Sequence, residues 1–139
     1  MASPPIRPPA ITPYRTYVYK YVNKIELKVD VYLPSSRNDG PLPVALYIPG
    51  GGWIGVDRTD YSRPLFHELL SHGFVVCCMD YRLLPETSFS ELTEDVKRIE
   101  TWVRQDLPTE MKKIGVKVDC NKLVVVGGSA GGHLALLTV

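Results

Sequence analysis

Residues 123–134 read Leu123-Val124-Val125-Val126-Gly127-Gly128-Ser129-Ala130-Gly131-Gly132-His133-Leu134. The four leading apolar residues suit a strand covered on both faces of a sheet. A turn of small residues follows, and the pattern from His133 to Val139 predicts a helix. In this strand-turn-helix setting Gly127-x-Ser129-x-Gly131 acquires chemical meaning, because a serine on so sharp a turn tolerates only small neighbours. The first N–H groups of a helix have no partner within it. The Ala130 N–H is therefore placed to stabilise an oxyanion formed when the Ser129 hydroxyl attacks a carbonyl.

Phosphate-binding alternatives fit poorly. A P-loop needs a lysine that the segment lacks, and the dinucleotide pattern needs glycine where Ser129 stands, with an acidic residue about 20 positions further on. A purely structural glycine turn, serving close strand-helix packing, is the plain alternative.

Outward from this segment, Val44–Ile48 and Phe74–Met79 are two more runs apolar on both faces. Between the runs lie helical patterns. One spans Arg63–His72 and is closed by Gly73; the other spans Ser90–Gln105, with Leu92, Val96, Ile99 and Val103 on one stripe. Ser88 with Glu91 forms a capping-box signature ahead of the second. Upstream, Tyr14–Leu33 alternates with a two-residue period, and Asn23-Lys24 joins its halves as an antiparallel hairpin. The expectation is an α/β fold: a mixed, mostly parallel sheet with helices on both faces. Residues 1–13, with five prolines, predict a flexible or extended leader, and residues 14–139 the folded unit.

A second glycine segment, Pro49-Gly50-Gly51-Gly52-Trp53, follows the first core run directly. Three glycines let backbone N–H groups turn outward and approach a ligand closely, so the segment reads as a candidate oxyanion-hole loop, with a flexible turn as the plain alternative. Trp53 is a candidate wall for an acyl or alcohol group, with packing as the competing role.

Composition narrows the partners. The 139 residues carry 16 basic and 15 acidic side chains, a formal charge of +1, and are 45% hydrophobic. That balance supplies no basic stripe for nucleic acid or anionic lipid. No apolar run reaches the roughly 18 residues of a membrane span, and no secretory signal is apparent, so a cytoplasmic address is expected. Oligomeric state is left open. Cys77, Cys78 and Cys120 have neither disulfide nor zinc-ligand spacing, so no metal is expected and the thiols read as small buried hydrophobes, Cys77 and Cys78 on opposite faces.

Taken together, three motifs resemble those of the α/β-hydrolases, and within them the hormone-sensitive-lipase-like serine esterases. Pro49-Gly50-Gly51-Gly52-Trp53 is similar to the family's H-G-G-G-W loop, Asp80-Tyr81-Arg82-Leu83-Leu84-Pro85-Glu86 to D-Y-R-L-A-P-E, and Gly127-Gly128-Ser129-Ala130-Gly131-Gly132 to G-D-S-A-G-G. The resemblance spans about Tyr14 to Val139. It implies an α/β-hydrolase fold and Ser129 as nucleophile, with the N–H groups of Gly51, Gly52 and Ala130 as the oxyanion hole. It also implies an acyl-enzyme route on small-molecule carboxylic esters without a cofactor.

Two family positions differ: Pro49 replaces histidine, and Gly128 replaces aspartate. In this fold the acid and histidine of the triad follow the nucleophile. After Ser129 the sequence holds no acid and one imidazole, His133, which reads as a local polar or packing residue; His67 and His72 precede the serine. The expectation is the N-terminal portion of an esterase, incomplete at its C-terminus, with little activity alone. The alternative is a non-catalytic hydrolase-like binding or interaction module. Asp80 and Arg82 are expected to pair with each other.

Overall fold

The computed structural model describes Ser3 and residues 6–138. Pro4 and Pro5 of the expected leader, and Val139 of the last expected helix, lie outside the described residues. Five strands and three helices follow in the order β1 (Arg15–Val22), β2 (Ile25–Tyr32), β3 (Leu42–Ile48), α1 (Arg63–Ser71), β4 (Val75–Met79), α2 (Phe89–Lys112), β5 (Val118–Gly127) and α3 (Ala130–Leu136).

The hairpin forms as the alternation predicts: β1 and β2 pair antiparallel, and Asn23 and Lys24 take positive φ at the turn. The sheet order is β1-β2-β4-β3-β5, with β4, β3 and β5 mutually parallel and β2 antiparallel to β4. The chain leaves β3 through α1 to β4 on one side, then returns through α2 to β5 on the other. Two crossovers of one hand taken in opposite directions place their helices on opposite faces. Phe66 of α1 accordingly packs with Ala45 and Tyr47, whereas Leu92, Ile99 and Leu107 of α2 and Leu134 of α3 pack with Val44, Leu46 and Ile48. Cys77 and Cys78 divide between these two clusters, as the strand period requires, and both are fully buried.

Three elements run beyond their sequence signals. The helix α2 continues past Gln105 to Lys112 and through Pro108. Proline removes one ladder donor, but buried Leu107 and Met111 hold the last turns on the core. The strand β5 begins at Val118, because Val118 and Asp119 pair with Leu42 and Pro43 before an irregularity resets the register. The helix α3 starts at Ala130, three residues before the apolar pattern suggests. Gly131 and Gly132 weaken helix propensity, yet their missing side chains let the helix pack at close range.

Residues 8–11 run along α1 without regular structure. Ile11 donates its N–H to the Tyr61 hydroxyl at 3.0 Å, and Pro9 O lies 3.0 Å from His67 Nε2.

Candidate active site

β3 and β5 are parallel neighbours in register, with Ile48 opposite Gly127, so their following loops leave the sheet at one level. This is the crevice beyond the carboxyl ends of the strands, where crossovers diverge and α/β folds accept ligands. The glycines permit the two loops to touch. A Cβ added to Gly50 would stand 2.8 Å from Gly128 O and 3.6 Å from Ser129 Cβ.

Ser129 occupies φ 52° and ψ −121°, left-handed backbone that side chains other than glycine adopt at a cost. It is the N-cap of α3, yet its hydroxyl makes no capping hydrogen bond and the residue is exposed. Its carbonyl accepts from His133 N–H at 3.1 Å, and Gly128 O accepts from Gly131 N–H at 2.9 Å. The turn is held from below: a Cβ on Gly127 would fall 2.3 Å from the Gly131 carbonyl atoms.

In the facing loop, Gly51 (φ 99°), Gly52 (φ 64°) and Trp53 (φ 63°) all have left-handed backbone. Gly51 O accepts from the N–H groups of Ile54 and Gly55, which closes the loop into a turn. Among the described residues, no hydrogen bond uses the N–H of Gly51, Gly52 or Ala130. Tyr81 anchors the loop from the core. Its hydroxyl lies 2.6 Å from Pro49 O and 2.9 Å from Gly50 O, and burial pushes the phenol up to about 12, so it stays protonated as a donor at neutral pH.

Trp53 packs edge-on to His133, with ring centres 5.7 Å apart, and to Phe89 at 6.4 Å. Its carbonyl accepts from Leu84 N–H at 2.8 Å. Its indole N–H is buried with no partner among the described residues. The His133 ring belongs to this aromatic group, one turn beyond Ser129. His67 lies on α1 and His72 is the C-cap of that helix, across the sheet from α3.

The expected Asp80–Arg82 pair does not form. Asp80 accepts instead from the Arg58 backbone N–H at 2.9 Å and its guanidinium at 2.7 Å, and Arg58 Nε also reaches Asp30 at 3.0 Å. Arg82 turns to Asp95 of α2, donating through Nε and Nη2 as well as its backbone N–H. The reason is desolvation: the Asp95 side chain is completely buried, and an unpaired buried carboxylate is far costlier than an exposed one. Lys20 adds a second cation at 2.6 Å. A signal for Asp95 existed in the sequence, since it falls three residues after Leu92 and four before Ile99, on the apolar stripe. Arg58, in a loop, had none.

Known proteins share this fold. The BD-FAE family model matches residues 29–139. Among solved structures, the Est2 esterase of Thermogutta terrifontis with butyrate bound is 32% identical at a TM-score of 0.75, covering 90% of this chain and 44% of its own. The same esterase phosphonylated by cyclosarin gives 30% identity and a TM-score of 0.77, covering 95% and 48%. Among curated proteins, the non-reducing polyketide synthases Preu6 of Preussia isomera and stbA of Stachybotrys bisbyi are each 37% identical, over 123 and 124 residues. Each match covers 88% of this chain and 6% of the synthase. The chain thus spans less than half of the esterases and a small fraction of the synthases. It belongs to the BD-FAE family, of the α/β-hydrolase type, and its fold is that of part of an esterase.

Proposed function

We propose that this chain carries the nucleophile and oxyanion-binding part of a serine hydrolase acting on small carboxylic esters. Ser129 Oγ attacks the ester carbonyl, and the N–H groups of Gly51, Gly52 and Ala130 receive the negative charge that develops on the carbonyl oxygen. The alcohol leaves, an acyl group remains on Ser129, and water then releases it. Trp53 forms a wall for the acyl or alcohol portion. No cofactor takes part. The carrying observation is the strained backbone of Ser129, whose hydroxyl is free of capping duty and stands beside a loop with unused N–H groups.

The acid and base that activate such a serine are not supplied by residues 130–138, where His133 packs on Trp53 rather than on Ser129. Removal of triad members lowers turnover by about 10⁴ to 10⁶. Turnover by the chain alone is therefore expected to be slow. Cytoplasmic residence is part of the same proposal, and the free thiols Cys77, Cys78 and Cys120 suit a reducing compartment.

The neighbouring esterase is described with butyrate or propionate bound and as phosphorylated by paraoxon. These supply the probes. Short-chain p-nitrophenyl esters and paraoxon are offered to wild type and Ser129→Ala. A slow Ser129-dependent release of p-nitrophenol, with a diethylphosphoryl adduct on Ser129 by mass spectrometry, is expected. Equal rates and no adduct would favour the second reading, a non-catalytic hydrolase-like module.

A further inference from the structure

The loop after β3 presents its peptide groups in an orientation set from the core. Tyr81 is 7% exposed, and its single hydroxyl proton lies between two carbonyl oxygens, those of Pro49 and Gly50. The C=O of residue 50 and the N–H of residue 51 belong to one planar trans peptide and point in opposite directions. A Gly50 carbonyl turned inward to Tyr81 therefore sends the Gly51 N–H outward, to the open side where exposed Ser129 stands. With glycine at both 50 and 51, no Cβ opposes rotation of this plane. Pro49, at the head of the loop, has no side-chain donor with which to hold it. The selecting group is the phenol.

We propose that Tyr81 is a positioning residue for the oxyanion loop: its hydroxyl fixes the Gly50–Gly51 peptide plane so that the Gly51 N–H faces the attacking serine. This rests on the reading of Ser129 as nucleophile and Gly51 as oxyanion donor. The hydrogen-bond partners of the Tyr81 hydroxyl are the Pro49 and Gly50 carbonyls. It acts only through the carbonyls that it holds, so its effect belongs to the transition state, where charge appears on the carbonyl oxygen, and not to ground-state binding.

Wild type, Tyr81→Phe and Ser129→Ala are compared with p-nitrophenyl acetate across substrate concentration, with circular dichroism as the folding control. Tyr81→Phe is expected to keep KM within about twofold while the Ser129-dependent kcat falls about tenfold to a hundredfold, less than outright removal of an oxyanion donor. An unchanged kcat in the folded variant overturns the proposal. Nuclear Overhauser contacts of the Gly51 amide proton in the isotope-labelled wild-type chain, to the Tyr81 ring or to the Ser129 side chain, read the Gly51 N–H direction without turnover. A vector pointing away from the Tyr81 ring supports the proposal, and one pointing toward it overturns the proposal even if Tyr81→Phe does not fold. Absence of any Ser129-dependent rate in wild type defeats the esterase reading instead, and the Overhauser contacts, compared between wild type and Tyr81→Phe, still decide whether Tyr81 holds the plane.

Discussion

Gly131 stands directly against the end of β3: a Cβ built on it would lie 2.0 Å from the Ile48 carbonyl oxygen and 2.7 Å from that of Pro49. Backbone carbonyls cannot swing aside as a flexible side chain can. The closeness of α3 to the sheet, and with it the contact between the two glycine loops, depends on this missing methyl. Gly131→Ala is expected to destabilise the chain by about 3 kcal/mol. Gly40→Ala, which meets nothing within 4 Å, is expected to stay within about 0.5 kcal/mol of wild type. Urea unfolding of the two variants checks the contrast, and equal midpoints would refute the packing argument.

Ser129 stores backbone strain for the sake of its position. Its φ of 52° is one that glycine adopts freely. Ser129→Gly is expected to raise stability by about 1 kcal/mol, the relieved strain exceeding the added chain entropy. Ser129→Ala keeps the strain and gains nothing comparable. The higher melting temperature of the glycine variant, alongside complete loss of paraoxon labelling in both, is the outcome to look for. A glycine variant less stable than the alanine variant would count against a strained turn.

Asp95 is the most demanding charge in the fold. Its buried carboxylate holds Arg82 and Lys20 together, joining the segment after β4, the helix α2 and the strand β1. Asp95→Ala leaves two cations facing an apolar wall and is expected to cost about 3 to 5 kcal/mol. Glu100→Ala, which breaks an exposed i, i+4 pair with Arg104, is expected to cost under about 1 kcal/mol. Denaturant titration distinguishes the two.

The start of α2 carries a pH dependence. Ser88 and Glu91 cap one another, and hydrogen bonds from the Ser88 backbone N–H, then from its hydroxyl, hold the Glu91 carboxyl below its ordinary value. A carboxyl lowered in the folded state stabilises above the unfolded pKa of about 4.5 and loses that contribution as pH falls through the folded value. The difference in melting temperature between wild type and Glu91→Gln should therefore be present at pH 7 and close on acidification. A gap constant from pH 7 to 3 would exclude the cap as its source. Ser88→Ala is expected to cost about 1 kcal/mol near neutrality.

Much of the architecture was legible before folding. The hairpin at Asn23-Lys24, the doubly buried strands β3 and β4, the Ser88 cap and the strand-turn-helix around Ser129 all depend on periods of two or 3.6 and on glycine punctuation, which act within a few residues. The run Leu123–Val126, read as covered on both faces, instead forms part of β5 at the edge of the described sheet, where Val124 is 39% exposed. Element ends were less legible. Met111 and Leu107 carried α2 through a proline, and Leu42 extended β5 backward, because burial against distant residues outweighs local propensity.

What residues in order could determine was the sequence of elements, the fold class and the small amino acids that a nucleophilic turn requires, since each is a property of neighbours in the chain. Only the folded molecule decided which charge meets which. Asp80 went to Arg58, 22 positions away, and Asp95 to Lys20, 75 positions away, where one-dimensional spacing had paired Asp80 with Arg82. It likewise brought the Tyr81 hydroxyl, 31 positions from Gly50, to the Gly50 carbonyl. Desolvation explains the division: a buried polar group takes whatever complementary partner the packed elements bring within about 3 Å, and that proximity is created by the sheet order, not by the chain.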